Sequence, residues 1–470
     1  MTLSDALRAW MPQQRWFAGK GREIERVEVA ELAVLAEQPR RLVLCAAAVH
    51  YADAGLEHYQ VPLSIAGEAV EALVHGLVAA VEDTWVYDGV QDREVTQAWL
   101  RHAAADSVVG PVHFHRTAPE VTIDTTLVSR SLGVEQSNSS MVFGEDLIFK
   151  IYRRLVAGEN PDVEVHRALA LAGSKHIAAP YAWVDGSWPG PDGDSLSGSL
   201  GLCQAFLRTA SEGWALALAS VRDLYAEGDL HADEVGGDFA GEAERLGVAT
   251  AEVHADLAVT LGTATTGPAE LRAMADGMRE RLDEACLVVD ELADCAAAIR
   301  TAYDAAATVS GPVQVQRIHG DYHLGQVLRT ESGWVLLDFE GEPARPLRER
   351  RALASPLKDV AGMLRSFDYA ARHLLSDHAR EPHLEYRAVE WAERNKGAFC
   401  EGYAQASGHD PRDQLVLLRA YELDKAIYEA VYEARNRPSW LSIPLRSLQR
   451  LVAATRDTTR ELPTAERTDR

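Results

Sequence analysis

The strongest constraint on the fold of this chain is a change of hydrophobic period near residue 209. Before that point, apolar and polar residues alternate in short runs such as RVEVAELAVLAE and SSMVFGEDLIFKIYRR, which is typical of half-buried strands. After it, apolar residues recur every three or four positions in Ala-rich segments such as EAERLGVATAEVHADLA, which is typical of amphipathic helices. A chain of 470 residues is also too long for a single core. We therefore predict an α+β protein with a strand-rich first part and a helical second part.

The same patterns divide the chain into three parts. Residues 1–105 are predicted to form a small β-rich unit that ends in a helix, and residues 106–208 a second strand-rich unit. Residues 209–470 are predicted to be mostly helical, apart from two short strands in VQRIHG and GWVLLDF. The Gly/Pro/Ser-rich stretch 187–199 is predicted to be a hairpin loop and not a domain linker.

Charge and composition exclude several classes of function. The formal net charge of −24 argues against nucleic-acid or anionic-membrane binding, because a phosphate-rich surface would be repelled. Five scattered cysteines without CxxC spacing favour neither a disulfide framework nor a Cys-based zinc site. The first residues lack the apolar block of a signal peptide, and no apolar run is long enough to span a membrane. We expect a cytoplasmic protein that is a monomer or a weak homo-oligomer.

Two short segments carry most of the candidate chemistry: RIHGDYHLGQVL at 317–328 and VLLDFEGEP at 335–343. His319 and His323 are four apart, but the glycine between them indicates a strand entering a loop, and no third nitrogen or sulfur ligand lies nearby, so a zinc site is disfavoured. Asp321, Gln326 and Asp338 instead offer the oxygen ligands that Mg²⁺ prefers and a carboxylate that can accept a proton. The alternative is a structural strand–loop–strand corner with polar caps.

HGDYHLGQ followed by LLDFEG resembles the phosphotransferase signature of the protein-kinase-like fold, in its sugar and aminoglycoside kinase branch. The resemblance implies a bilobal fold that uses ATP and Mg²⁺. It also implies that Asp321 is the catalytic carboxylate and that Gln326 and Asp338 hold the metal.

The strand LIFKIY resembles the kinase strand that carries the nucleotide-binding lysine, which makes Lys150 the candidate. The following segment NPDVEVHRALALAG opens a helix, and Glu164 is the expected ion-pair partner of Lys150. We expect the Lys150 ammonium to lie across a cleft from the three oxygen-bearing side chains of the catalytic segments.

The nucleotide loop departs from the kinase pattern, because a Gly-rich motif is absent. A polar run that is equally typical of a structural hairpin turn stands in its place: Gln136, Ser137, Asn138, Ser139 and Ser140. Small hydroxyl and amide side chains at a turn can donate hydrogen bonds to phosphate. The adenine-binding segment implied by the resemblance contains Gln204, Phe206 and Leu207.

Longer blocks narrow the resemblance to the maltokinases. These blocks are MPQQRWFAGKGR, EQSNSSMVFG, DFEGEPARPLRERRALASPLKDVAGMLRSFDYAA and KAIYEAVYEARNRPSWLSIPL, which together run from residue 12 to about 445. The resemblance implies an N-terminal cap at 1–105, a nucleotide-binding N-lobe at 106–208 and a helical C-lobe at 209–470. It further implies ATP-dependent phosphorylation of the anomeric hydroxyl of maltose, giving maltose 1-phosphate for glycogen-type glucan synthesis. Two alternatives stay open: a glucosamine kinase that makes glucosamine 6-phosphate, and a nucleotide-binding pseudokinase scaffold.

One C-terminal helix offers a candidate surface for the sugar. Its residues Lys425, Tyr428, Glu429 and Tyr432 share a face by three- and four-residue spacing, and Arg437 follows the helix. Aromatic and charged side chains on one face are suited to stack on a pyranose ring and bond its hydroxyls, although an amphipathic helix with core tyrosines fits equally well. His323 is interpreted as support for the loop or as a contact to a substrate hydroxyl. Lys358 and Asp359 open another helix, where we expect Asp359 to act as a cap.

Overall fold

The computed structural model describes residues 1–132, 137–227, 230–343, 345–375 and 382–461, with side chains given for 383–453 of the last range. The chain forms two compact units. The first contains Met1–Ala170 and Ala178–Arg208, and the second contains Leu171–Ile177 and Thr209–Arg470. The border between residues 208 and 209 falls where the hydrophobic period changes. Among the described residues, no helix combines the length and the apolar character that crossing a membrane requires.

The first unit is built from antiparallel strands and short helices. Its strands are β1 (Ile24–Ala36), β2 (Arg41–Tyr51), β3 (Leu56–Ala66), β4 (Leu77–Val81), β5 (Thr84–Asp88), β6 (Val108–Val109), β7 (Val112–Arg116), β8 (Ser129–Leu132), β9 (Asn138–Phe143), β10 (Leu147–Tyr152), β11 (Arg154–Leu155), β12 (Pro180–Pro189) and β13 (Ser195–Ala205). Its helices are α1 (Leu3–Trp10), α2 (Arg93–Ala105) and α3 (Pro161–Ala172), the last of which runs into the second unit.

Two sheets organise these strands. One has the order β1-β2-β3-β5-β4 with β11 paired to β3, and the other has the order β6-β7-β12-β13-β10-β9-β8. Helix α2 packs Trp99 edge-on against Phe114 and Phe149, with ring centroids 5.4 Å apart in both pairs. The hairpin predicted at 187–199 is confirmed, but β12 and β13 remain paired as far as Pro189 and Ser195, so the loop itself is only 190–194.

The second unit is mainly helical. Its helices are α4 (Gly213–Ala226), α5 (Ala240–Leu261), α6 (Pro268–Cys286), α7 (Ala293–Ala307), α8 (Leu347–Arg350), α9 (Leu357–His373), α10 (Pro382–Ser407), α11 (Leu415–Asn436) and α12 (Ser442–Glu461). Its strands are β14 (Ser211–Glu212), β15 (Thr263–Thr266), β16 (Val313–Gln316), β17 (Val327–Thr330) and β18 (Gly333–Leu336). The strands form a three-stranded sheet, β14-β17-β18, and a two-stranded sheet, β15-β16.

Helices α5 and α10 pack closely because a glycine of each helix faces the backbone of the other. A Cβ atom at Gly247 would collide with the carbonyl of Phe399, and a Cβ atom at Gly402 would collide with the carbonyl of Glu244. Neither contact leaves room for a side chain. The two predicted short strands are present as β16 and β18, and the sequence analysis missed β17 between them.

Candidate active site

The loop between β16 and β17 contains the HGDYH segment and is anchored from helix α9. Gly320 has φ +86°, a left-handed conformation that favours glycine. The buried carboxylate of Asp359 accepts hydrogen bonds from the backbone N–H groups of His319 at 2.7 Å and Gly320 at 2.9 Å. It also lies 3.1 Å from Nε2 of His254. Asp359 therefore holds the loop backbone and does not cap its own helix, which corrects the expectation from sequence.

Helix α9 can lie against this loop because it carries a glycine at the contact. A Cβ atom at Gly362 would be 2.5 Å from the carbonyl oxygen of Tyr322. The buried Tyr322 hydroxyl in turn lies 2.8 Å from the Thr250 hydroxyl of α5. The loop is thus held by helices on two sides, which is the preorganisation that a catalytic carboxylate requires.

Replacing Asp359 with Ala is expected to destabilise the second unit and to lower turnover. Two buried N–H groups would lose their acceptor, which should cost roughly 2–5 kcal/mol of unfolding free energy. Tryptophan fluorescence during urea unfolding measures the stability, and a steady-state assay measures the turnover. Asp413→Ala, at an exposed position, is the control. Unchanged stability and turnover in Asp359→Ala would contradict the anchoring role.

Asp321 forms an ion pair with a buried lysine. The Nζ atom of Lys425, on α11, lies 2.8 Å from Oδ1 of Asp321 and 3.5 Å from Oε1 of Glu342. Burial by itself raises the pKa of Asp321, but the charge and hydrogen bond of Lys425, together with His323 and His319, outweigh it and bring the pKa to about 2. Asp321 is therefore a carboxylate throughout the physiological pH range.

Lys425→Met is expected to move the acidic limb of the pH profile of kcat/KM upward. Without the ammonium, burial dominates and the pKa of Asp321 rises, so the carboxylate is protonated at a higher pH. In the wild type, the stability from this ion pair is present above about pH 4 and is lost as the pH falls toward 2. We expect the limb, which lies near pH 2 in the wild type, to rise by at least about two to three pH units, so that it enters the measured range of pH 4 to 8, while the exposed-site control Lys175→Met keeps the flat wild-type profile. An unchanged profile in Lys425→Met would show that Lys425 does not set this ionisation.

A cavity of about 190 Å³ opens beside Asp321. Its wall contains Asp321, Glu342, Lys425 and Tyr428, and the Lys425 ammonium lies 4.8 Å from the centre of the Tyr428 ring. Further polar side chains of the wall are Arg281, Glu284, Arg345, Lys358, Tyr421, Asp424 and Arg435. The cavity combines a buried carboxylate with alternating charges and an aromatic ring, which suits a small hydroxyl-rich ligand.

Helix α11 does not present to this cavity all four residues of the face predicted from the sequence. Glu429 does not line the cavity, because its carboxylate accepts a hydrogen bond from buried Arg365 at 2.6 Å. Successive residues of a helix are rotated by about 100°. Because Tyr428 faces the cavity, the side chain of Glu429 points to the neighbouring side of the helix. Tyr432 stacks on Tyr428 with centroids 6.5 Å apart. Arg437 lies over the ring of Trp440 at 4.2 Å, away from the cavity wall.

Gln326 and Asp338 lie side by side, as a metal pair would. The Gln326 amide nitrogen lies 3.4 Å from Oδ2 of Asp338. Asp338 has φ +61°, a conformation that costs energy for a non-glycine residue and is frequent at functional sites. The carboxylate of Glu340 lies within 4.8 Å of that of Asp338. Glu340 is not among the residues predicted from the sequence, although LLDFEG contains this second acid two residues after Asp338.

His323 supports the loop. Its Nδ1 accepts a hydrogen bond from the Gly325 N–H at 3.0 Å. Burial lowers the pKa of His323 to about 4, against the opposing effect of Asp321, so the ring is neutral near pH 7. This geometry agrees with the structural interpretation of His323, and a contact to substrate remains a prediction.

Lys150 lies in the first unit, on β10, between β9 and β13. Its ammonium is 3.3 Å from the carboxylate of Asp162, and the Tyr152 hydroxyl donates to the same oxygen at 3.3 Å. The sequence did not predict this contact with Asp162, and the predicted ion pair between Glu164 and Lys150 remains a prediction. Asp162 is buried in the first turn of α3, which places its carboxylate beside the Lys150 ammonium.

The polar run before β10 is mostly strand and not loop. Asn138, Ser139 and Ser140 belong to β9 and are buried, and the Ser139 hydroxyl accepts a hydrogen bond from Arg153 at 2.8 Å. This corrects their assignment to a phosphate-binding turn. Ser137 lies just before the strand and is exposed, while Gln136 lies outside the described residues.

The predicted adenine-binding segment follows the end of β13. Gln204 pairs with Ile148 across the sheet. The Phe206 N–H donates to the Asp146 carbonyl at 2.7 Å, and Leu207 follows in irregular backbone. Nucleotide contacts of Gln204, Phe206 and Leu207 remain predictions.

The anchored HGDYH loop, the Gln326–Asp338 pair and the strand lysine define a phosphotransferase of the protein-kinase-like fold. Comparison with known families agrees: residues 137–409 match the phosphotransferase enzyme family, and residues 10–92 match the maltokinase N-terminal cap domain. The chain belongs to the phosphotransferase enzyme family. The predictions of the α+β kinase-like fold, of the cap and of phosphotransferase activity are confirmed.

Relatives with a curated description cover most of the chain. A glucosamine kinase from Streptacidiphilus jiangxiensis is 30% identical over 380 residues, which is 78% of this chain and 81% of the relative. A glucosamine kinase from Mycolicibacterium smegmatis (strain ATCC 700084 / mc(2)155) is 27% identical over 336 residues, covering 69% of this chain and 79% of the relative. A solved glucosamine kinase in complex with glucosamine, ADP and inorganic phosphate superimposes with a TM-score of 0.69 at 23% identity, over 96% of this chain and 99% of that one. That structural likeness shows the shared fold.

Proposed function

We propose that the protein transfers the γ-phosphate of ATP to a hydroxyl group of a small sugar, with glucosamine as the acceptor. The main support for phosphoryl transfer is the ionised carboxylate of Asp321, which lies beside a polar cavity. Its Oδ1 atom is 2.8 Å from the Lys425 ammonium, and its loop is anchored by Asp359. A fixed carboxylate of this kind can accept the proton of an attacking hydroxyl.

The choice of acceptor follows from which part of the chain each similarity covers. The relative named glucosamine kinase that covers 78% of the chain must include most of the second unit, which bears the cavity. The maltokinase cap model covers residues 10–92, which lie in the first unit and contribute no residue to the cavity wall. We therefore place glucosamine first. Maltose is the second candidate acceptor, because several segments of the sequence resemble the maltokinases and residues 10–92 match the maltokinase cap domain.

In the proposed reaction, Asp321 orients the acceptor hydroxyl through a hydrogen bond. Because the pKa of Asp321 is held near 2, it is a weak base, and the proton moves late, when the new P–O bond has acidified the hydroxyl oxygen. Lys425 positions the carboxylate by occupying Oδ1. Most of the rate enhancement comes from positioning and electrostatics.

The nucleotide and the metal are assigned to the remaining residues. Lys150, kept in place by Asp162, neutralises charge on the nucleotide phosphates. The adjacent amide and carboxylate of Gln326 and Asp338 fit Mg²⁺, which binds through one or two protein oxygens together with phosphates. When bound, Mg²⁺ supplies positive charge to the β- and γ-phosphates.

A panel of acceptors tests this proposal. ADP release is measured with Mg-ATP and glucosamine, maltose, glucose or trehalose. We expect kcat/KM for glucosamine to exceed that for each other sugar at least tenfold, with phosphate on the 6-hydroxyl. If maltose leads, with phosphate on the anomeric hydroxyl, the acceptor assignment is wrong although the transfer stands. If ATP stabilises the protein against heat but no sugar releases ADP, the chain is a nucleotide-binding scaffold and the proposal fails.

A further inference from the structure

A second and larger cavity lies in the helical unit, outside the candidate active site. Its volume is about 460 Å³, and its wall is formed by side chains of α9, α10, α11 and α12 and of the turn before α11. Its polar side chains are Arg365, Asp368, Glu393, Lys396, Arg412, Arg419, Glu422, Ser447 and Arg450. None of them belongs to the acceptor cavity.

The wall of this cavity carries an excess of cations. Four arginines and one lysine face two glutamates and one aspartate, in a protein whose net charge is −24. The aspartate, Asp368, is shared among several cations: it lies 3.1 Å from Arg365, 2.8 Å from Arg450 and 3.6 Å from Lys396. A buried carboxylate that serves several cations leaves their charges incompletely balanced.

Carboxylates outside the wall balance part of this charge. Glu429 reaches Arg365, Asp410 reaches Arg412 and Glu385 reaches Arg450. Burial lowers the pKa of Arg450 although Asp368 opposes this, whereas for Arg365 the attraction of Glu429 and Asp368 outweighs burial and raises the pKa.

Several donors of the wall are not saturated by protein acceptors. Arg365 is 1% exposed, and within the described part of the chain its Nε–H has no hydrogen-bond partner. Arg419 reaches Glu422 only at 3.5 Å, and Lys396 donates to Glu393 at 3.2 Å but reaches Asp368 only at 3.6 Å, which leaves part of its three-donor ammonium free. A buried donor without an acceptor costs free energy, and a bound anion would remove that cost.

The geometry points to this cavity as a binding site for the phosphate group of a small molecule, with Arg365, Lys396 and Arg419 as its principal donors. Arginine forks suit the several oxygens of a phosphate and bind them in pairs. The site is independent of the proposed function, because it uses none of the catalytic residues. Its location matters, since α9 and α11 also carry Asp359 and Lys425 of the acceptor cavity, so an occupant contacts both helices that hold the catalytic loop.

Calorimetric titration of the full-length protein tests the site. Glucosamine 6-phosphate and inorganic phosphate are each titrated into the wild type and into Lys396→Gln, Arg419→Gln and the control Arg394→Gln. Arg394 is a surface arginine paired with Asp238, outside both cavities. We expect both cavity variants to bind at least tenfold more weakly at one site, while Arg394→Gln binds like the wild type. If the variants lose more affinity for glucosamine 6-phosphate than for inorganic phosphate, the ligand is a phosphorylated sugar. If they lose equal affinity for both, the site recognises the phosphate group alone.

Crystals of the wild-type protein soaked in the same two compounds provide a readout that depends on no variant. Density for phosphate between Arg365, Lys396 and Arg419 supports the site. Identical titrations for all four proteins, or soaked crystals whose only phosphate lies at the acceptor cavity, would overturn it, whatever acceptor the enzyme uses.

Discussion

Asp321→Asn is expected to lower turnover at saturating glucosamine by about 10²–10⁴-fold, the usual size of a general-base contribution. The amide has nearly the shape of the carboxylate, but it cannot take a proton from the acceptor hydroxyl. It also loses the ion pair with Lys425, whose ammonium keeps its 3.5 Å contact with Glu342. Steady-state ADP release measures turnover, and calorimetry measures nucleotide affinity.

The exposed-site variant Asp413→Asn controls for the general effect of removing a carboxylate and should turn over like the wild type. Nucleotide affinity should stay within about threefold in Asp321→Asn, because Asp321 acts on the acceptor. Full turnover by a folded Asp321→Asn protein would show that another group takes the proton.

Lys150→Met is expected to lower kcat/KM for ATP by about 10²–10³-fold, as the removal of one preorganised charge from a transition state does. Methionine keeps the unbranched apolar stem in the sheet but removes the ammonium 3.3 Å from Asp162. The expected signature is a loss in kcat/KM for ATP with KM for the sugar little changed. Initial rates at varied ATP and fixed acceptor measure it.

Lys175→Met is the matched control, because that lysine is 73% exposed and pairs with Glu252 at the surface. Melting curves of both variants separate lost chemistry from lost fold, since Asp162 loses one partner in Lys150→Met but keeps the Tyr152 hydroxyl. If both variants use ATP equally well, Lys150 is a structural residue of the sheet.

Much of the local structure of this protein could be predicted from its sequence. The change of period near residue 209 marked the border between the two units, and HGDYHLGQ with LLDFEG indicated where Asp321, Gln326 and Asp338 would lie. These features depend on residues close together in the chain, where strand and turn preferences act directly.

The sequence did not predict those side-chain contacts that depend on how separate elements pack against one another. Asp162 and Glu164 are both acids in the first turn of α3, and the contact between the Asp162 carboxylate and the Lys150 ammonium depends on how that helix packs. In the same way, a pattern of three- and four-residue spacing cannot tell whether Glu429 faces a cavity or the buried Arg365. The role of Asp359 was missed because its partners, two backbone amides, have no signature in a sequence.

The most direct test of the central claim is phosphorus NMR of a reaction containing the protein, Mg-ATP and glucosamine, run beside an identical reaction with Asp321→Asn. We expect a sugar-phosphate signal that grows in step with ADP in the wild type and is nearly absent from the variant over the same time. Inorganic phosphate as the only new product in the wild type, or equal sugar phosphate in both reactions, would contradict it.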